Sequence, residues 1–281
     1  MKWTTSIAVR LVVYPVLAYS AVGVGLYLGQ AKLLFPAPET FERLTPANIG
    51  IRYEDVRVPA PGNGWLHAWW IPGEEAAGKT ILAFHGNGYV LEESLPEASE
   101  LHKIGPHLLL VDYRGYGSSS KVMPSEATVN EDADAAFEWI VRRKGVAEGN
   151  VFLLGRSIGS GPATYLAAEH AAIAGLILES PFTSIDDAAK ESWSVRIFPV
   201  RLMLQTHFDN WSKIGRVRAP VLIVAGTGDT LTPAWMAQRL YERSKQPKQI
   251  YLVRGAGHND LVEAGGEGLA EMLRRFVGPG R

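Results

Sequence analysis

In Gly155-Arg156-Ser157-Ile158-Gly159 a serine stands between glycines two residues before and two residues after it. The apolar run 151–154 precedes it, and a helix-compatible stretch with Ala163, Leu166 and Ala167 follows. A strand that reverses sharply into a helix with a nucleophile at its tip needs small residues at both places, because the turn is tight and the two elements pack closely. A serine hydroxyl is a weak nucleophile at its own pKa. An imidazole must take its proton, and a carboxylate must hold that imidazole in the right tautomer and stabilise its charged form. Two later residues fit these roles in the order that such strand–turn–helix nucleophiles use, acid first and histidine second. Asp229, in Gly226-Thr227-Gly228-Asp229, follows the apolar run 221–224, and Thr232-Pro233 opens the next helix. His258, in Gly255-Ala256-Gly257-His258-Asn259-Asp260, follows the last apolar run and is the only histidine after His207. Glu179 and Asp209 are reserve carboxylates, and Asp260 reads as the start of the final helix. Acyl transfer to a serine also requires N–H donors for the developing oxyanion. One is expected from Ile158, directly after the nucleophile. The other is expected from the loop His85-Gly86-Asn87-Gly88, with Asn87 preferred and Gly88 next, while His85 holds the loop by hydrogen bonds.

Residues so far apart in sequence need a scaffold that gathers loop tips. Stretches 51–58 and 65–71, joined by Pro-Ala-Pro-Gly-Asn-Gly at 59–64, predict an antiparallel hairpin. Apolar runs at 80–84, 107–111, 151–154, 173–178, 221–224 and 249–253 then alternate with helix-compatible stretches. The clearest helix is 126–143, where Ala127, Ala133, Ala136, Phe137 and Ile140 fall near helical spacing after an acid-rich start. This alternation predicts an α/β fold with a mostly parallel central sheet and helices on both faces. Ligands bind beyond the carboxyl ends of such strands, where Ser157, Asp229 and the His85 loop all fall.

The chain has 281 residues, 47% hydrophobic and 20% charged, which suits one catalytic domain with a substantial core, placed at 51–281. A net charge of -1 with both signs mixed along the sequence leaves no footprint for nucleic acid. Zero cysteines exclude disulfides, thiolate metal sites and a cysteine nucleophile. The seven histidines lack the HExxH spacing or another ligand pattern, so neither a metal nor a cofactor is expected.

Residues 11–31 carry no charged side chain, and Lys2 and Arg10 lie just before them. A run beyond about 18 apolar residues is long enough to cross a bilayer, whereas a signal-peptide core is usually about 7–15 residues. Residues 1–31 are therefore expected to be a single-pass membrane anchor, with the lipid bilayer as partner. The alternative is a cleaved signal peptide, for which Gly29 and Ala31 suit the cleavage site. The flanking charges Lys2 and Arg10 favour the cytoplasmic side, leaving the catalytic domain extracytoplasmic, although Lys32 and Arg43 reduce that asymmetry. Pro36 and Pro38 resist helix and central strand, so residues 32–50 read as a tether.

With these motifs assembled, the sequence resembles the α/β-hydrolase superfamily. The resemblance rests on His85-Gly86-Asn87, Val111-Asp112-Tyr113-Arg114-Gly115-Tyr116-Gly117, the serine turn at 155–159, Gly226-Thr227-Gly228-Asp229 and Gly257-His258-Asn259-Asp260. It is most similar to the membrane-anchored α/β-hydrolase-domain branch, which includes palmitoyl-protein thioesterases and many bacterial members. The likeness covers residue 51 to the C-terminus and implies the α/β-hydrolase fold and a Ser157, Asp229, His258 triad. The superfamily also contains peptidases, dehalogenases and lipases; a serine nucleophile in place of aspartate argues against dehalogenase chemistry. One departure is the stretch 226–228, where the family more often carries charged residues and a histidine. Between 181 and 214 an insertion rich in large apolar residues is expected to cap the serine, with Trp193, Phe198 and Met203 lining an acyl pocket. Ordinary helix-to-sheet packing is the alternative for those side chains. The expected activity is that of a serine esterase or acyl-thioesterase acting on a small-molecule or lipid acyl ester. A serine peptidase and a non-catalytic ligand-binding protein of the same fold are its rivals.

Overall fold

The computed structural model describes residues 2–36, 44–73, 78–192 and 195–278. Trp193 and residues 37–43 of the expected tether lie outside the described residues. In chain order the elements are α1 (Lys2–Leu34), β1 (Glu54–Ala60), β2 (Gly64–Ile71), β3 (Thr80–Phe84), α2 (Leu95–His102), β4 (His107–Val111), α3 (Glu126–Glu138), β5 (Val151–Arg156), α4 (Ser160–Glu169), β6 (Gly175–Glu179), α5 (Ile185–Glu191), α6 (Val200–Met203), α7 (Asn210–Ile214), β7 (Val221–Gly226), α8 (Ala234–Arg243), β8 (Lys248–Val253) and α9 (Leu261–Val277).

The eight strands form one sheet in the order β1-β2-β4-β3-β5-β6-β7-β8. The β1–β2 and β2–β4 pairs are antiparallel, and every later pair is parallel. Successive residues of the central strands feed opposite faces. Leu82, Leu153, Leu176 and Ile223 pack with Phe137, Leu166 and Leu240 on one side. Their neighbours Ile81, Leu154, Ile177 and Leu222 pack with Leu101, Leu269 and Leu273 on the other. Strands covered on both faces have no solvent side to mark with polar residues, which is why they read as unbroken apolar runs.

The hairpin differs from its expected bounds. Strand β1 continues through Pro59, which pairs opposite Trp65, and the turn contracts to Pro61, Gly62 and Asn63. An edge strand tolerates proline because one row of its N–H groups needs no partner. The expected helix 126–143 ends as α3 at Glu138 and continues as a wider π-helical turn to Arg143.

Helix α1 runs past residue 31 to Leu34, and its span Val9–Leu34 is long and apolar enough to cross a membrane. It does not lie apart from the rest of the chain. Tyr19 stacks on Phe198 with ring centroids 4.6 Å apart, and Gln30 donates to the Met203 carbonyl at 3.1 Å. Just beyond the helix Phe35 is buried, its ring 6.3 Å from that of Phe208. The first residues of the expected tether are thus docked, because Phe35 and Leu34 carry apolar surface that the core can cover.

Candidate active site

Ser157 follows β5 directly and has a positive φ of 51°. A non-glycine residue held there is strained and persists only where its surroundings enforce it. The two flanking glycines do so by close approach. A Cβ at Gly155 would collide with the Gly159 carbonyl, and one at Gly159 would collide with the carbonyl of Phe84 on β3. Helix α4 can therefore start against the strand that carries the serine.

His258, in the turn between β8 and α9, places Nε2 2.9 Å from the Ser157 hydroxyl oxygen. Its Nδ1 lies 2.8 Å from Oδ2 of Asp229, which follows β7. With the ring proton on Nδ1 facing the carboxylate, Nε2 is free to accept the serine proton. Asp260 accepts the Gly257 N–H at 2.6 Å, which tightens the turn holding the imidazole.

The Asp229 side chain is fully buried and well supplied with donors. The N–H groups of Leu231 and Thr232 donate to Oδ1 at 2.8 and 2.9 Å, and the Thr232 hydroxyl lies 2.8 Å from Oδ2. Burial works against ionisation, but the hydrogen bonds from His258 and Thr232 outweigh it and hold the carboxyl below its ordinary pKa. Thr232 joins the site from outside the predicted set, although the Asp-x-x-Thr spacing at 229–232 is a local signal for such a bond.

The reserve carboxylates are engaged elsewhere. Asp209 caps α7 by accepting the Ser212 N–H at 3.0 Å. Glu179 ends β6 as the register partner of Arg156 and is buried beside Glu97. Its pKa is pushed up to about 8, first by burial and then by the charge of Glu97, with Arg156 opposing. Arg156 reaches towards the histidine turn, donating to the Asn259 carbonyl at 3.1 Å, while its guanidinium lies 3.8 Å from Glu97.

The loop after β3 lies against the serine. A Cβ added to Gly86 would sit 3.5 Å from the Ser157 Cβ; Ile158 is buried, and Asn87 is exposed, its Oδ1 accepting the Tyr116 hydroxyl at 3.4 Å. His85 is buried and fixed by its own contacts, with Nδ1 2.8 Å from the Gly86 carbonyl and Nε2 3.5 Å from Asp112. Burial lowers its pKa against the pull of Asp112. Tyr113 donates to the His85 carbonyl at 3.1 Å, and Asp112 accepts the Leu91 N–H at 3.0 Å. Asp112 and Tyr113 belong to the 111–117 motif, whose part in clamping this loop local sequence does not reveal. Phe198 and Met203 face α1 rather than this loop: Phe198 stacks on Tyr19, and both line a slot with Leu26.

Known proteins extend the picture. A family model described as serine aminopeptidase, S33, matches residues 75–204, a span that holds Ser157 and the His85 loop and stops before Asp229 and His258. The chain is 32% identical over 271 residues to the uncharacterized protein Rv2307c of Mycobacterium tuberculosis, covering 95% of this chain and 94% of that one. It is 36% identical over 203 residues to alpha/beta hydrolase domain-containing protein 17B of Xenopus laevis, covering 70% of this chain and 66% of the relative. Among solved structures, the Pyrococcus furiosus esterase Pf2001 superposes with a TM-score of 0.71 at 21% identity, over 86% of this chain and 97% of that one. Est1E from Butyrivibrio proteoclasticus, solved with ferulic acid bound, gives 0.65 at 20% identity, over 79% and 97%. At these identities the solved structures share the fold.

Proposed function

This chain belongs to the α/β-hydrolase superfamily, and from that premise we propose that it hydrolyses carboxylic ester or acyl-thioester bonds through an acyl-enzyme on Ser157. The observation that carries the reading is the continuous relay from Ser157 Oγ through His258 to Asp229, at 2.9 and 2.8 Å. In the forward step Ser157 Oγ attacks the acyl carbonyl carbon while His258 Nε2 takes the hydroxyl proton. The carbonyl oxygen becomes an oxyanion held by the N–H groups of Ile158 and Asn87. Collapse expels the alcohol or thiol, which receives its proton from His258. Water then repeats the sequence on the acyl-enzyme and releases the acid. Asp229 stays ionised throughout, orienting the ring and stabilising the imidazolium. No cofactor enters these steps.

Esterases among the structural neighbours, one of them solved with ferulic acid, support an ester substrate of small-molecule or lipid type. We propose separately, from its apolar length and the charges of Lys2 and Arg10 before it, that α1 is a single-pass anchor with the catalytic domain outside the cytoplasm, and intact-mass analysis of the membrane fraction separates this from a cleaved signal peptide. A serine peptidase is the second reading, favoured by the description of the matching family model. Labelling by a fluorophosphonate, followed by turnover of short acyl esters against peptide amides, tests the proposal. Ester turnover with labelling supports it, amide turnover favours the peptidase, and folded protein that does not label is a binding protein instead.

A further inference from the structure

Helix α1 and the insertion meet along a seam that leaves apolar side chains facing outward. Between them lies a slot of about 160 Å³ lined by Leu26, Leu33, Val195, Phe198, Val200 and Met203. On the surface of the insertion Leu202 is 86% exposed and Ile197 61%, and Leu33 of α1, which lines the same slot as Met203, is 61% exposed. Residues 192–206 contain no acidic side chain, but they do contain Arg196 and Arg201, both exposed. Lys32 adds a third exposed cation at the end of α1. Outward apolar residues interleaved with basic ones, with no acidic residue among them, are the pattern of a segment that lies in the interface of an anionic bilayer.

The backbone supports this placement. Irregular chain survives next to hydrocarbon only where its N–H and C=O groups are satisfied by protein. Within the insertion, the N–H groups of Phe198, Val200, Leu202 and Leu204 donate to the carbonyls of Val195, Phe198, Pro199 and Val200. Polar side chains of α1 serve further groups: Tyr19 donates to the Ile197 carbonyl at 3.0 Å, and Gln30 donates to the Met203 carbonyl while accepting the Gln205 N–H at 2.8 Å. The docked part of α1, from Tyr19 to Leu34, is about 24 Å long at a rise of ~1.5 Å per residue, most of the ~30 Å thickness of a bilayer core. A helix seated in lipid over Val9–Leu34 would carry the docked insertion in with it.

We infer that residues 195–204 are a second membrane-contacting element, with Ile197 and Leu202 among the acyl chains of an anionic leaflet and Arg196 and Arg201 at its phosphates. The inference rests on reading α1 as the membrane-seated helix, and its test keeps the two apart. The chain has no cysteine, so Leu202→Cys and, separately, Ile197→Cys give single sites for an environment-sensitive fluorophore in the full-length protein. Glu242→Cys, exposed on α8, is the aqueous control. In vesicles of phosphatidylcholine with phosphatidylglycerol, the probes at 202 and 197 should shift to shorter wavelength and lose most of their emission to nitroxide-labelled lipid. The probe at 242 should do neither. Protein that floats with the vesicles while both insertion probes remain aqueous overturns this inference and leaves α1 as the anchor. Protein that does not float overturns both. Equal shifts in vesicles of phosphatidylcholine alone remove the role given to Arg196 and Arg201.

Discussion

Asp229 and Glu179 stand at the carboxyl ends of adjacent strands, and both are buried, 5% and 1% exposed, yet they are driven towards opposite charge states. Around Asp229 two backbone N–H groups, a threonine hydroxyl and an imidazole converge on the two oxygens. Glu179 meets a second carboxylate, Glu97, and burial with that like charge lifts its pKa to about 8 despite Arg156. Desolvation is common to both sites, so the donors decide between them. A carboxylate kept ionised can stabilise an imidazolium, whereas a carboxyl kept neutral cannot. Position at a strand end selects both residues as acids for the relay, and only their surroundings separate them.

The comparison presupposes that Ser157 is what the imidazole serves, and removing it should have the largest effect. We expect Ser157→Ala to abolish fluorophosphonate labelling and lower kcat by about 10⁶-fold, with an unchanged circular dichroism spectrum. Retained turnover would place the chemistry elsewhere and make the two carboxylates irrelevant to it. Next in size, Asp229→Asn should cost about 10⁴-fold in kcat by holding the ring in the wrong tautomer, while Glu179→Gln stays near the parent value. Steady-state rates on one short acyl ester compare the three variants. A large loss in the glutamate variant with a small one in the aspartate variant would invert the assignment.

The parts legible in the sequence are those set by local physics. Apolar runs mark the parallel strands because both faces are covered, and Gly155 and Gly159 mark the serine turn because backbone on either side leaves no room for a Cβ. Local preference puts Pro59 in the turn, because it does not say that β1 lies at the edge of the sheet. Contacts between distant segments leave no periodic trace. Glu97 and Glu179 come together from α2 and β6, and Tyr19 and Gln30 reach an insertion about 175 residues later in the chain. Composition showed that α1 and the insertion each have an apolar surface to cover. It could not show that they cover one another, which is why Phe198 and Met203 were expected around the serine and lie beside α1.

A smaller perturbation removes one donor from Asp229. The Thr232 hydroxyl lies 2.8 Å from Oδ2 of Asp229 and 3.0 Å from the Ser180 carbonyl, so its single proton is shared between two acceptors. A hydrogen bond to a charged group contributes about 1.5–3 kcal/mol, and sharing reduces the part that reaches Asp229. We expect Thr232→Val to lower kcat by about tenfold, since ~1.4 kcal/mol corresponds to that factor, and Thr232→Ser to restore most of it. The Asp229 carboxyl, followed by carbon NMR, should titrate at higher pH in the valine variant, because it has lost a group that favours its charged form. An unmoved titration would show that His258 and the two backbone N–H groups suffice to hold Asp229 ionised.

The smallest expected change in rate belongs to Glu179→Gln, and its signature is in stability instead. In the folded chain this carboxyl titrates at about 8, above its ordinary 4.5, so folding favours its protonated form. A group raised in this way contributes stability that is complete below about 4.5 and is lost as pH climbs through about 8. Glutamine imitates the protonated acid and has nothing to lose over that window. Thermal melts of the two proteins should therefore lie close together near the acidic end and separate as pH rises, with the parent falling below the variant. Arg156 opposes this, since its charge favours an ionised Glu179, and the experiment weighs that attraction against burial and Glu97. If the parent instead gains on the variant with rising pH, Glu179 is an ionised partner of Arg156. The contrast with Asp229 would then lie in geometry rather than in charge.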